Sequence, residues 1–170
     1  MDVDEAISGL IRDSGDRLLR LAFQLCHDRS TAEDIVQQAL EQVYRRWLRG
    51  GDEVRNPEAY ARRAVVNEFL RRRRLASASE LVTDAPPEGV AAAADAVLVE
   101  RDVIWRALSA LPPRQRAALV LRYYEDLADR DIAEVLGCRQ ATVRSLIVRG
   151  LRALQTTSAP ATLIQGVPGD

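Results

Sequence analysis

DRDIAEVLGCRQATVRSLIVRGLRAL, residues 129–154, decides the fold of this 170-residue chain. It reads as two short helices joined by a tight turn. Ile132, Val135 and Leu136 fall at i, i+3, i+4, one apolar stripe. Gly137 stops that helix, because a helix end commonly takes a left-handed residue and glycine adopts it without a steric clash. The helical period restarts at Thr142 and runs to Leu154. At about 100° per residue, Ile147, Gly150 and Leu154 share a face with Val143. Ser145, Val148, Arg149 and Arg152 take the opposite face, with Arg144 on its flank.

Ala133 stands four residues before the turn glycine and Val143 six after it, which is helix-turn-helix spacing. The small residue lets the helices approach and the branched one locks the second against the first. The second helix of such a unit enters the major groove. Its outer face here carries Arg144, Arg149 and Arg152, with Arg139 just before it and no acid among them. Phosphate and guanine contacts need that chemistry. The alternative is an ordinary helical hairpin with a solvated arginine face; the joint spacing and charge favour DNA.

Working outward, composition narrows the class. Aromatics make only 5% of the chain against 47% hydrophobic residues, which suits an aliphatic, helix-rich core. A charged fraction of 29% and the lack of a long apolar run argue against a membrane protein. The acidic start, MDVDEAISG, is not a signal peptide, so a cytoplasmic location is expected. The net charge of −1 hides a mosaic: residues 1–44 are net −5 and residues 45–74 net +6. All 24 basic residues are arginine. Cys26 and Cys138 are far apart and His27 is the one histidine, so no metal-ligand spacing exists. Free, mostly buried thiols are expected.

Taken in order, residues 3–13 suggest a short helix weakened by Gly9. A firmer one follows from Asp16, with Leu18, Leu21, Ala22 and Leu25 as its stripe, closing near Cys26. HDRS reads as a turn. Ser30-Thr31-Ala32-Glu33 has the capping-box pattern and starts a helix through Gly50. Ile35, Ala39, Val43 and Trp47 form its inner stripe, widened by Val36 and Leu40. Glu33, Asp34, Gln37, Gln38 and Glu41 lie on the other side, a solvated face or a docking surface for a partner helix. Asn56-Pro57 caps and starts the next helix. There Tyr60, Ala64, Val65 and Phe69 face inward, and Arg62, Arg63, Asn67 and Arg71–Arg74 face outward. Four consecutive arginines exceed what complementing a helix end requires, so nucleic acid is favoured. Residues 76–94, rich in Ala, Ser and Pro, read as a flexible linker. Asp95–Ala110 forms a helix with Val99, Val103, Ile104 and Leu108 as its stripe. Leu111-Pro112-Pro113 breaks it and starts the next at about Pro113. The tail 156–170 is expected to be disordered.

The stretches AEDIVQQALEQVYRRW, NPEAYARRAVVNEFLRRR, LPPRQRAALVLRYYEDL and DIAEVLGCRQATVRSL, in this order and spacing, resemble the extracytoplasmic-function group of the sigma-70 family. Within that group they resemble the compact actinobacterial SigE-like sequences. The resemblance implies that the DIVQ helix docks on the clamp-helix coiled coil of RNA polymerase, with Asp34, Ile35, Gln37, Gln38 and Glu41 as binding residues. It implies minus-ten DNA contacts by Arg62, Arg63, Asn67, Arg71 and Arg72, with Asn67 near a flipped base of the non-template strand. It implies minus-thirty-five contacts by Arg144, Ser145, Val148 and Arg149, which Arg139 and Arg152 join as candidates on charge and position. Two positions depart from the family pattern: Leu146 replaces an arginine and Gly150 an alanine.

The expectation is an all-α protein of two small helical domains joined by a flexible linker. Residues 1–75 form a region 2 domain, 76–94 the linker and 95–155 a region 4 helix-turn-helix domain. Its expected function is to bind core RNA polymerase and direct promoter recognition, DNA opening and initiation. Expected partners are core polymerase, promoter DNA as duplex and as non-template strand, and an anti-sigma factor, with no cofactor and no membrane. One rival is a free-standing helix-turn-helix regulator with an N-terminal sensor or dimerisation domain; it leaves the arginine helix unexplained. An enzyme would need a nucleophile–base pair, a metal cluster or a phosphate-cradling glycine loop, and the sequence offers none.

Overall fold

The computed structural model describes residues 2–50, 55–80 and 96–156, apart from the side chains of 80 and 96–102. Every regular element among them is a helix: α1 (Val3–Cys26), α2 (Arg29–Leu48), α3 (Pro57–Glu80), α4 (Ala96–Ser109), α5 (Pro113–Tyr123), α6 (Asp129–Leu136) and α7 (Gln140–Thr156). The first three pack on one another, and α5, α6 and α7 form a second cluster.

The helix starts and stops follow from local chemistry. Asp2 caps α1 by accepting from the Asp4 N–H at 3.0 Å. His27 ends it in the left-handed region at φ 54°, its N–H bonded to Phe23 O. The cap of α2 is Asp28, two residues before the expected Ser30; its carboxylate accepts from both the N–H and the hydroxyl of Thr31. Glu33, the expected capping-box partner, instead pairs with Arg29 at 2.9 Å. Asn56 caps α3 as expected, accepting from the Ala59 N–H at 3.0 Å. Pro112 and Pro113 start α5.

Several other element boundaries differ from expectation. The first helix is not two pieces: α1 runs unbroken through Gly9 and Gly15. Each glycine costs a helix about 1 kcal/mol, and burial of Leu10, Ser14, Leu18, Leu21, Ala22 and Leu25 on one side outweighs it. Helix α3 continues to Glu80, five residues into the stretch expected as linker. Ala and Ser extend a helix already nucleated at low cost, needing no apolar face of their own. The rest of that linker, residues 81–94, and all but the first residue of the expected disordered tail, Thr156, which closes α7, lie outside the described residues. On α4, Leu108 is buried and Ile104 partly buried as expected, but Val103 is 37% exposed and Ala107 joins the core; the Val99 side chain lies outside those described. Both cysteines are free thiols packed partly buried against the core, in line with expectation.

In the N-terminal cluster Leu21, Leu25, Ile35, Val43, Val65 and Phe69 are essentially shut off from water. Each such side chain contributes about 1.5–3 kcal/mol of burial. The C-terminal cluster centres on Val120, Leu121, Ile132 and Val143. The two clusters also touch: α1 and α3 pack against α5, and α3 against α6.

Candidate nucleic-acid and polymerase interfaces

The helix-turn-helix is built as its sequence dictates. Gly137 caps α6 at φ 61°, and the N–H groups of Gly137 and Cys138 both bond Ala133 O. A residue with a Cβ is strained at that φ. The Arg139 carbonyl then accepts from Thr142 and Val143 N–H, so α7 begins at Gln140, two residues before the expected Thr142. Val143, Ile147, Gly150 and Leu154 are buried. Arg139, Arg144, Ser145, Val148, Arg149 and Arg152 are all exposed.

Both departures from the family pattern have a packing reason. Leu146 is 7% exposed and belongs to the core, so no cation at this position faces solvent. Gly150 lies where α7 crosses α5. A Cβ there would stand 2.9 Å from Leu119 Cδ1, closer than carbon atoms pack.

On α3, Arg63, Asn67 and Arg71 recur every four residues and are exposed, so they form one strip. Arg62 and Arg72 are only partly exposed. Glu68 is buried beneath the strip, with Arg71 Nε and Nη2 and Arg72 Nε donating to it at 2.8 Å. These hydrogen bonds, Arg71 first, hold the Glu68 carboxyl below its ordinary value against the opposing pull of desolvation. Part of the charge of the arginine run is therefore neutralised inside the helix.

Arg62 does not stand free. Its guanidinium meets Glu58 at 3.2 Å and Glu125, beyond the end of α5, at 3.3 Å. Arg17 on α1 also bonds Glu58, at 2.7 Å. An ion-pair chain thus runs from α1 through α3 to the C-terminal cluster. On α2, Asp34, Gln37, Gln38 and Glu41 are exposed and share a face, with Glu41 paired to Arg45. Ile35, expected among the binding residues, is 1% exposed and packs beneath that face, so it cannot touch a partner directly.

Sequence reading missed Arg116. It is 3% exposed, has no acid partner among the described residues, and is ringed by carbonyls. Its guanidinium donates to Leu108 O, Ser109 O and Leu111 O within its own cluster and to Leu25 O of α1 at 3.1 Å. It also lies over the rings of Phe69 and Trp105. Desolvation pushes its pKa down to about 10, still charged at neutral pH. Trp105 in turn stacks on His27, ring centroids 4.6 Å apart. The one available signal was the unbroken apolar run AALVL after it, which marks a helix buried on every side. Glu125 and Glu58 carried no signal.

Among the described residues no group of His, Cys, Asp or Glu could hold a metal ion, and no helix is long and apolar enough to cross a membrane. An all-helical chain with a helix-turn-helix and a second arginine-lined helix is a nucleic-acid-binding protein of the transcription machinery. The Sigma-70 region 2 model matches residues 10–78, and the Sigma-70 region 4 model residues 101–154. RNA polymerase sigma-E factor of Streptomyces coelicolor is 34% identical over 85% of this chain and 81% of its own. ECF RNA polymerase sigma factor SigL of Mycobacterium tuberculosis is 31% identical over 82% and 81%. The sigma factor RpoE of Bartonella quintana, solved in complex with the anti-sigma factor NepR, shares the fold at TM-score 0.65 and 22% identity, covering 96% of this chain and 99% of that one. The chain belongs to the sigma-70 family, within its extracytoplasmic-function group: it is an RNA polymerase sigma factor, non-enzymatic, that directs promoter recognition and initiation.

Proposed function

We propose that the work is divided between the two clusters, residues 1–75 acting on polymerase and the minus-ten element and residues 95–155 on the minus-thirty-five element. Asp34, Gln37, Gln38 and Glu41 dock on the clamp helices of core polymerase. Arg63, Asn67 and Arg71, joined by Arg62 and Arg72, follow the non-template strand as it opens, with Asn67 beside a flipped base. Unstacking that base costs a few kcal/mol, which the strip and its neighbours on polymerase offset. Arg144, Ser145, Val148 and Arg149 read base edges in the duplex upstream, and Arg139 and Arg152 neutralise phosphates.

The observation that carries this reading is the presence of two exposed basic faces on separate clusters, the α3 strip and the outer face of α7. A free-standing regulator needs only the second. Pull-down with core polymerase, followed by run-off transcription on genomic fragments, tests the reading. Failure to associate, or to start synthesis at any defined site, refutes it.

The closed arrangement has a consequence for this role. Promoter elements centred near −10 and −35 are separated by about 25 base pairs, or about 85 Å. A compact body of this length is about 40 Å across. With α3 packed on α6 and Arg62 tied to Glu125, the chain cannot reach both elements, so the seam opens on polymerase. A protein antagonist that binds the closed form, an anti-sigma factor, is a further partner on this reading. Its setting is the cytoplasm, where polymerase and DNA are.

A further inference from the structure

Asp129 is the first residue of α6, and its two carboxylate oxygens face two other helices. Oδ2 accepts a hydrogen bond from Arg144 Nε, on α7, at 2.9 Å. Oδ1 is shut off from water and receives no oriented hydrogen bond; it lies against the Arg122 guanidinium of α5, whose charge offsets it. Arg144 is itself 65% exposed and has no other partner among the described residues. A long arginine in that setting would sample many rotamers, and this one is held.

We infer that Asp129 is a positioning residue for upstream promoter recognition, fixing the Arg144 guanidinium through Nε so that its Nη1–Nη2 edge stays available to the DNA. The inference rests on the reading of α7 as the minus-thirty-five helix. An arginine presents bidentate donor pairs to guanine O6 and N7 or to a phosphate. With Nε engaged, the Nη1–Nη2 pair is the fork that remains. Ordering this side chain before DNA arrives removes a cost otherwise met on binding.

Two effects oppose each other when the carboxylate is lost. Arg144 must be ordered anew on specific DNA, which weakens specific binding by about three- to tenfold. The surface also gains positive charge where Arg122 and Arg144 already meet, which strengthens sequence-independent attraction to phosphate and steepens its salt dependence. A residue that merely braced the domain would weaken both kinds of binding together.

The test uses holoenzyme assembled from the full chain and core polymerase, with DNA randomised over the upstream element. Asp129→Asn is compared with wild type, Arg144→Ala and the double variant. The ratio of selected-sequence to random-sequence binding should fall about three- to tenfold in Asp129→Asn. Random-duplex binding at low salt should rise, and no further change in preference should appear in the Arg144→Ala background. Asp129→Glu, which keeps the charge, should recover most of the ratio. Thermal unfolding is followed in parallel; should the Asn variant not fold, the Glu and Gln variants at this position make the same comparison. An unchanged ratio while Arg144→Ala still alters preference overturns the role of Asp129 and leaves the reading of α7 standing. Absence of any upstream preference in the wild-type holoenzyme overturns that reading, and this inference with it.

Discussion

Cutting the ion pair between Arg62 and Glu125 should make the chain a better polymerase ligand. Glu125→Gln removes one charge from a half-buried pair whose side chains are 19% and 21% exposed. Fully exposed pairs are worth about 0.2–1 kcal/mol, and breaking a fully buried one costs about 3–5 kcal/mol. Arg62 keeps Glu58 after the cut, so no cation is stranded and the loss falls near the lower range, at about 1 kcal/mol. That shifts the closed-to-open ratio about fivefold. If only the open form engages polymerase, apparent affinity rises by up to the same factor, because affinity scales with the competent fraction. Donor and acceptor dyes on α2 and α7 report the opening, and titration with core polymerase in the absence of DNA reports the affinity. Raising salt in the wild type should mimic the substitution, since partly exposed pairs are screened. The reasoning is refuted if dye separation and polymerase affinity both stay at wild-type values.

Asn67→Ala should impair promoter opening more than polymerase binding; permanganate footprinting should show a smaller bubble at unchanged holoenzyme yield. Arg149→Ala should weaken promoter binding by about 1–3 kcal/mol and relax preference at one upstream position, as read by selection of bound sequences. Gly150→Ala sets a helix-propensity gain of about 1 kcal/mol against about 1–3 kcal/mol of crowding on Leu119. The balance is a modest loss, seen as a fall in Tm; a rise in Tm would contradict the close crossing of α5 and α7. Glu68 has its folded pKa lowered from 4.5 by Arg71 and Arg72. It therefore stabilises the fold above its unfolded value, and that stability disappears as pH falls through the folded value. Urea unfolding should show Glu68→Gln flattening the acid limb below about pH 4.5.

What could be read from the chain was what is local. The stripes of α2, α6 and α7, the Asn56 cap, the proline start of α5 and the left-handed Gly137 all depend on neighbours within a few residues. The misreadings were contests between local signals and packing. Gly9 looks like a weak point until the face of α1 is buried. Ser30 fits a capping pattern, but Asp28 is a stronger acceptor and comes first. The solvent-facing end of α3 has no apolar period to detect. The seam is of another kind: Arg116 to Leu25 O spans 91 residues, and Arg62 to Glu125 joins two clusters. No periodicity encodes either. The faces of α2, α3 and α7 were legible from the helical period, the roles given to them came from family motifs, and burial then separated Ile35 from its exposed neighbours.

Trp105 lies under His27 on one side and near the Arg116 guanidinium on the other. An indole in such company loses excitation to its neighbours. When the two halves part, that ring is released into a different environment while Trp47, 4% exposed within the N-terminal core, stays where it was. The molecule thus carries its own optical gauge: tryptophan emission should report each separation event in real time, on unlabelled protein.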